Sequence, residues 1–208
     1  MARPLKPKLS TNLIARGALA LVDQAGEFTI PDLAKRLKVS PSSLYNHVTG
    51  KSDIVELMRG HMIAQVKIPA GTGVWHDTIT AIAREYRNAY AKHPRVIPLI
   101  AAYSVRDETT IRMYNILADA FASAGFTPRR TLEAITVIDN YVLGSALDVA
   151  APEEVWAPDD GANAALAAAL KEGMGYPNRA DDAFDFGLDI IMDGLRREAE
   201  AGGRPRDR

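Results

Sequence analysis

Residues 29–51 read TIPDLAKRLKVSPSSLYNHVTGK and contain the same helix-starting signal twice. Thr29 precedes Ile30-Pro31, and Ser40 precedes Pro41. A hydroxyl oxygen at this position accepts a backbone N–H of the first helical turn, and proline is tolerated there because that turn leaves its first N–H groups unpaired. The segment therefore predicts two short helices, at 30–37 and 41–47, joined by a tight turn.

Helical spacing of apolar residues continues on both sides of this segment. Upstream, Ser10 caps a predicted helix over 10–24 that ends at Gly26. Downstream, a longer helix is predicted from 51 to 66. Helix-breaking residues follow it: Pro69, Gly71 and Gly73. They mark the predicted junction between two domains.

Beyond Trp75 the periodicity stays helical, with no alternating strand pattern of five or more residues. Further helices are predicted at 76–92, 95–103, 107–124, 129–149, 161–173 and 181–200. The predicted fold class is all-α. Its predicted parts are an N-terminal arm and helix-turn-helix at 1–50, a connecting helix and linker at 51–74, a larger helical domain at 75–200 and a disordered tail at 201–208.

Composition excludes several classes of protein. The 208 residues include 25 basic and 26 acidic side chains, so the net charge of −1 argues against a histone-like or polybasic membrane-surface protein. Positive charge is nevertheless concentrated at the start, since residues 1–67 hold ten Lys and Arg against five Asp and Glu. Without cysteine there are no disulfides or thiol nucleophiles. No apolar run approaches the roughly 18 residues of a membrane helix, so a soluble, cytoplasmic protein without a membrane partner is expected.

The second short helix has a composition that favours DNA contact. Only Leu44 and Val48 are obvious core anchors, and the remaining side chains are short hydrogen-bonding groups where a solvated helix usually carries Lys and Glu. In a helix-turn-helix, the second helix enters the major groove. The candidate DNA-binding residues are Thr29, Ser40, Pro41, Ser42, Ser43, Tyr45, Asn46, His47 and Lys51.

Purely structural interpretations of these residues remain open. Tyr45 and His47 are alternatively partly buried helix residues, and Lys51 is alternatively an ordinary solvated lysine. Three basic residues precede the first helix in a Pro-punctuated arm, where they either contact DNA or belong to a disordered tail: Arg3, Lys6 and Lys8.

Residues 10–60 resemble the tetracycline-repressor (TetR) family. The run Leu44-Tyr45-Asn46-His47 with Lys51 is similar to the signature of that family, in which the Tyr, His and Lys contact phosphates. The resemblance implies that Pro41, Ser42 and Asn46 face bases, and the C-terminal part is similar to the regulatory domain of the family.

The resemblance implies a homodimeric, ligand-responsive transcriptional regulator, more often a repressor than an activator. Its partners would be double-stranded operator DNA with palindromic half-sites and an unidentified small-molecule effector. Effector binding among helices of residues 76–149 would tilt the helix at 52–66 and change the spacing of the two DNA-reading heads. An ungapped alignment with the tetracycline repressor places Lys67 and Ala101 where its metal-chelating histidines would be, which argues against tetracycline as the effector.

Polar and aromatic residues of the second domain could line the effector pocket. They are Tyr86, Tyr90, Tyr103, Asn115, Asp139 and Asn140. Ordinary packing is the alternative for most of them. Asp139 lies within an apolar helical stripe, where an ionised carboxylate needs a partner unless it faces water at the edge of the helix.

The last predicted helix carries an apolar stripe that either closes the core of the monomer or forms a subunit face. Its members are Phe184, Leu188, Ile191, Met192 and Leu195. We favour the subunit face, because one recognition helix reads only a few base pairs and specific binding normally uses two. By resemblance, this helix and the one at 129–149 would form a four-helix bundle across the dimer axis.

Catalytic and metal-binding patterns are missing from the sequence. The chain has no nucleophile elbow, phosphate-binding loop or zinc-protease motif, and its four histidines lack metal-ligand spacing. We therefore expect no enzyme activity, no metal and no cofactor. Two alternative functions remain: a small-molecule carrier or enzyme that retains the helix-turn-helix only for packing, and a nucleoid-type binder without sequence preference.

Overall fold

The computed structural model describes residues 9–67, 73–152, 155–158, 161–173 and 178–202. Within these ranges the chain is helical and forms no strand, which confirms the all-α prediction. The helices are α1 (Thr11–Ala25), α2 (Ile30–Leu37), α3 (Pro41–Tyr45), α4 (Lys51–Ile63), α5 (Trp75–Ala91), α6 (Ile97–Ala101), α7 (Glu108–Ser123), α8 (Pro128–Asp148), α9 (Ala164–Gly173) and α10 (Arg179–Glu200). A 3₁₀ turn, Pro94–Val96, precedes α6.

The hydroxyl caps predicted from sequence form at three helix starts. The side-chain oxygens of Ser10, Thr29 and Ser40 accept hydrogen bonds from backbone N–H groups three residues ahead, at 3.2–3.3 Å. Between α2 and α3 the chain reverses at Lys38, which has a left-handed φ of 56°. The two short helices and their tight turn are therefore present as predicted.

Two helices end earlier than the apolar pattern predicts. Helix α3 ends at Tyr45, because the backbone N–H groups that follow it donate to the carbonyl of Leu44. Helix α4 ends at Ile63, and the chain continues there in two hydrogen-bonded turns. Several predicted features lie outside the described residues: the basic arm Arg3, Lys6 and Lys8, the breakers Pro69 and Gly71, and the tail beyond residue 202.

A continuous hydrophobic core runs from α1 to α10, and α4 belongs to both ends of it. Helix α4 packs against α1 on one side and against α5, α6 and α7 on the other. The centre of the C-terminal part is the packing of α5 on α8, with α7 and α10 against both. A shift of α4 therefore moves α1 and the short helices that pack on it.

Three of the five residues in the apolar stripe of α10 pack in the core of the monomer, which corrects their assignment to the subunit face. Phe184, Leu188 and Met192 are buried within the chain, so they have no surface left to cover a partner. The stripe continues through two half-buried residues, Ile191 and Leu195.

Other apolar side chains of α8 and α10 point outward. On α10, Phe186 is 70% exposed and Ile190 is 56% exposed. Leu132 and Val137 of α8 are also exposed. The sequence analysis did not assign these four residues to an interface.

Helix α4 crosses the start of α7 at Gly60. A Cβ at this position would overlap the carboxylate of Asp107. That carboxylate caps α7, since its Oδ1 accepts the backbone N–H of Thr110 at 2.8 Å and the Thr110 hydroxyl at 3.0 Å. The close approach of the two helices therefore depends on glycine at position 60.

Gly60→Ala is expected to lower the free energy of unfolding by about 1–3 kcal/mol, because it overpacks the crossing and displaces the cap. Chemical denaturation measures this cost. In an Asp107→Ala background the same substitution should cost far less, since the clashing carboxylate is gone. Strictly additive penalties would contradict the proposed contact.

Candidate nucleic-acid interface and regulatory core

The polar side chains of α3 face outward from a buried anchor. Leu44 is 0% exposed and Val48 is 4% exposed, so both fix the helix to the core. Tyr45 is 54% exposed, and Asn46 and His47 are also exposed. The side chains of Tyr45 and His47 are therefore available to a partner, and their contact with DNA stays a prediction.

Hydroxyl groups cluster at the start of α3. Ser40 Oγ lies 2.8 Å from both Ser42 Oγ and Ser43 Oγ, while its oxygen also caps the helix. Ser42 and Pro41 are exposed, and Ser43 is half-buried. At the start of α2, the exposed Thr29 donates its hydroxyl proton to Asp32. The cluster presents short donors and acceptors beside Asn46.

Lys51 begins α4, six residues after Tyr45. Its Nζ is 5.1 Å from the centroid of the buried Phe28 ring, which orients the side chain by a cation–π contact. The preceding turn is held by Asp53, whose carboxylate accepts the backbone N–H and hydroxyl of Thr49 at 2.8 and 2.6 Å. These hydrogen bonds lower the pKa of Asp53, with a smaller contribution from Arg106, so the turn is stable at neutral pH.

A second group of polar side chains lies between α5, α7 and α8. The hydroxyls of Tyr86 and Tyr114 both donate to Asp139 Oδ1 at 2.8 Å. Burial raises the pKa of both tyrosines, and the charge of Asp139 raises it further, so both remain neutral hydrogen-bond donors. The partners that an ionised Asp139 needs are therefore two phenols.

Tyr90 adjoins this group, whereas other predicted pocket residues do not. Its ring packs edge-to-face on Tyr86 with centroids 4.9 Å apart. Tyr103 is half-buried and contributes its carbonyl to another contact described below. Asn115 and Asn140 are exposed. Asn140 lines a pocket between α8 and α10 with Tyr141 and Phe184, and the role of both asparagines in effector binding stays a prediction.

Sequence analysis missed Tyr114, although a signal for it was present. Tyr114 lies three residues before Leu117 and seven before Phe121, both of which are buried on α7. This helical spacing places its ring towards the core. Its buried hydroxyl then requires a partner, which Asp139 supplies.

Glu56 and Arg59 form a buried ion pair on α4, which we call the Glu56–Arg59 clamp. Arg59 Nε donates to Glu56 Oε1 at 3.0 Å, and Arg59 Nη2 donates to the carbonyls of Ile100 and Tyr103 at 3.0 Å each. Glu56 Oε2 accepts the backbone N–H groups that open α7, including that of Asp107 at 2.8 Å. The clamp thus fixes α4 to both ends of the α6–α7 connection.

The clamp was also missed, because its partners are far away in sequence. Its members stand three residues apart among the buried positions Val55, Met58 and Met62. A charged pair at that spacing inside an apolar stripe is the signal that indicates buried charges with distant partners.

A second connection ties the end of α1 to the turn before α6. His93 Nδ1 lies 2.8 Å from Asp23 Oδ2. Arg95 donates to the carbonyls of Asp23 and Gln24 at 3.1 and 2.8 Å, where the end of the helix is partially negative. The N-terminal helices therefore contact the C-terminal part through the end of α1 as well as through α4.

The described ranges contain neither a candidate metal cluster nor a membrane-spanning helix. No group of three or more His, Asp or Glu side chains in them is arranged to hold a metal ion. No helix in them is long and apolar enough to cross a membrane.

Comparisons with known proteins agree with this architecture. Residues 69–199 match the family model of the tetracycline repressor-like C-terminal domain. The chain is 31% identical to an HTH-type transcriptional regulator of Saccharopolyspora erythraea, over 93% of this chain and 87% of the relative. It is 26% identical to the HTH-type transcriptional repressor DrrR1 of Streptomyces coeruleorubidus, over 93% and 80%.

A solved structure has the same fold. The crystal structure of TetR from Acinetobacter baumannii AYE matches with a TM-score of 0.68 and 25% identity, over 92% of this chain and 99% of that one. The resemblance inferred from residues 10–60 is thereby confirmed. The family model covers more than half of the sequence, and the chain belongs to the TetR family of transcriptional regulators.

Proposed function

We propose that the protein is a homodimeric repressor in the cytoplasm, which binds a palindromic operator and leaves it when a small molecule binds among α5, α7 and α8. The observation that carries this proposal is the exposed polar face of α3 on a buried anchor. Membership of the TetR family and the likeness to a named repressor support it.

The surface of α3 divides into two kinds of contact. Ser42 and Asn46 offer short side chains that can bond base edges in the major groove. Tyr45 and His47 flank them, and Lys51 stands at the start of the next helix, so these three fix the register on phosphates. Base contacts then set specificity, and phosphate contacts set affinity.

Specific binding requires two copies of this surface. In a two-fold dimer the two α3 helices enter successive major grooves about 34–36 Å apart. The exposed apolar side chains Phe186 and Ile190 of α10, with Val137 of α8, offer a surface that a second copy would cover. The proposed dimer therefore uses the outer faces of α8 and α10.

Release of the operator DNA depends on how the effector site is connected to α4. The Glu56–Arg59 clamp holds α4 against the α6–α7 connection, and α7 also supplies Tyr114 to the core around Asp139. An effector that binds better when the clamp is displaced would change the distance between the two α3 helices of the dimer. A coupling of about 1–3 kcal/mol is enough for regulation.

Tyr45→Ala is expected to weaken operator binding about tenfold, because it removes a phosphate contact. Lys51→Ala should weaken binding to all DNA and reduce the slope of log affinity against log salt by about one. Fluorescence anisotropy with the upstream intergenic DNA and a scrambled duplex measures both effects. Lys92→Ala, an exposed lysine beyond α5, is the matched control.

The same assay separates the proposed repressor from the alternatives. Preference for the upstream site that persists as salt rises supports a sequence-reading regulator. Equal binding to all sequences with a steep salt slope would indicate a nucleoid-type binder. Failure to bind even a randomised-site library would favour the carrier or enzyme alternative.

Phe186→Glu and Ile190→Glu should each convert the dimer to a monomer, because they place charge in an apolar interface. Analytical ultracentrifugation reports the mass, and operator affinity should fall with it. Leu166→Glu on α9 is the matched control, since Leu166 is also exposed. A dimer that survives both substitutions would exclude this face as the interface.

Glu56→Gln should loosen the start of α7, because a neutral amide accepts the backbone N–H groups of Arg106 and Asp107 more weakly than a carboxylate does. Hydrogen exchange at these two amides is expected to accelerate, and operator affinity should fall because α4 is less fixed. Glu108→Gln, an exposed neighbour on α7, serves as control. Unchanged exchange at both amides would show that the clamp does not hold this connection.

A further inference from the structure

The core around Asp139 holds a carboxylate without a counter-ion. Among the described residues Asp139 has no ion-pair partner, and the groups that bond it are the neutral hydroxyls of Tyr86 and Tyr114. Glu56 and Arg59 on α4 bond each other at 3.0 Å. A half-buried carboxylate without a counter-ion is costly to desolvate, and a positive group placed beside it would reduce that cost.

A second polar group in the same place lacks a partner. Tyr90 is completely buried, and its hydroxyl has no hydrogen-bond partner among the described residues. The Tyr90 ring packs on Tyr86, which bonds Asp139, so this hydroxyl belongs to the same cluster. An unsatisfied buried hydroxyl costs about 1–3 kcal/mol and marks where a bound molecule gains a hydrogen bond.

The aromatic rings also favour a positively charged ligand. Tyr86 and Tyr114 meet the carboxylate with their hydroxyls, and the Tyr90 ring packs on that of Tyr86; the faces of such phenol rings are electronegative. Ammonium groups bind such faces, and they bind more strongly when shielded from water. A carboxylate beside aromatic rings is therefore complementary to a cation and repels an anion.

We propose that the effector is an organic cation, a protonated amine attached to an aromatic or apolar body. Its ammonium group lies against Asp139 and the tyrosine rings and hydrogen-bonds the Tyr90 hydroxyl. This inference rests on the proposed function, in which the helical domain binds the effector.

The proposed charge also explains how binding would reach α4. An ammonium group at Tyr90 would stand near the Arg59 guanidinium, and the two like charges repel. The repulsion disfavours the arrangement in which Arg59 holds the carbonyls of Ile100 and Tyr103. The effector would then bind best when the clamp is displaced, which is the differential affinity that release requires.

Three probes with the same ring and different charge test the proposal: 1-naphthylmethylamine, 1-naphthalenemethanol and 1-naphthoate. Equilibrium dialysis against the full chain measures their affinities at neutral pH. We expect the amine to bind about tenfold or more tightly than the alcohol, and the carboxylate to bind most weakly. Operator anisotropy in the same solutions should show release by the amine alone.

Two variants and a control locate the effect. Asp139→Asn should abolish the preference for the amine and leave the affinity for the alcohol within about twofold. Tyr90→Phe keeps the ring and should reduce amine affinity several-fold without loss of folded protein. Asp119→Asn, an exposed acid of α7, should change nothing. Circular dichroism confirms the fold of each variant.

The outcomes separate this proposal from the proposed function. A preference for the alcohol or carboxylate, an amine preference that survives in Asp139→Asn, or no amine binding at about 1 mM would overturn the cationic effector. The wild-type protein would still bind its operator in each of these cases. If the wild-type protein showed no sequence-specific operator binding, the proposed repressor function would itself be overturned.

Discussion

The buried Glu56–Arg59 clamp is the interaction on which the relation between the two functional parts depends. Two desolvated charges are stable in a core only when they pair and when their remaining atoms are hydrogen-bonded. Here the backbone of the α6–α7 connection supplies those bonds on both sides. The same α4 packs on α1, so one helix belongs to the DNA-facing unit and to the regulatory core. The clamp is thus connected to α3 through the packing of α4 on α1, of α1 on α2 and of α2 on α3.

The DNA-facing surface is rigid for a different reason. A five-residue helix such as α3 is not stable by itself in water, since nucleation costs more than so short a helix returns. Leu44 and Val48 anchor it in the core, and the Ser40 cap starts it. Its exposed polar side chains are thus held in place without being buried. Short side chains on a rigid support lose little conformational entropy when they bind.

The regulatory core combines a fixed polar group with an unsatisfied one. Two tyrosines hold the Asp139 carboxylate, which fixes its orientation between α5, α7 and α8. The Tyr90 ring packs on Tyr86 of this group, and its hydroxyl is unsatisfied by any residue that the structure describes. Polar groups in a low-dielectric core act strongly on one another. A ligand there would consequently alter the balance of charges that holds α4.

The sequence by itself determined the local features of this protein. The caps formed by a hydroxyl residue before a proline, together with helical spacing, predicted the helices, because both signals act within one or two turns. Tertiary structure decided which apolar stripe of α10 faces inward, since a core stripe and an interface stripe have the same spacing; Phe184 is buried and Phe186 is exposed. It also decided the partners of Asp139 and Arg59, which lie 25 to 53 residues away along the chain. Periodicity carries no information over such separations, because only packing brings those atoms together.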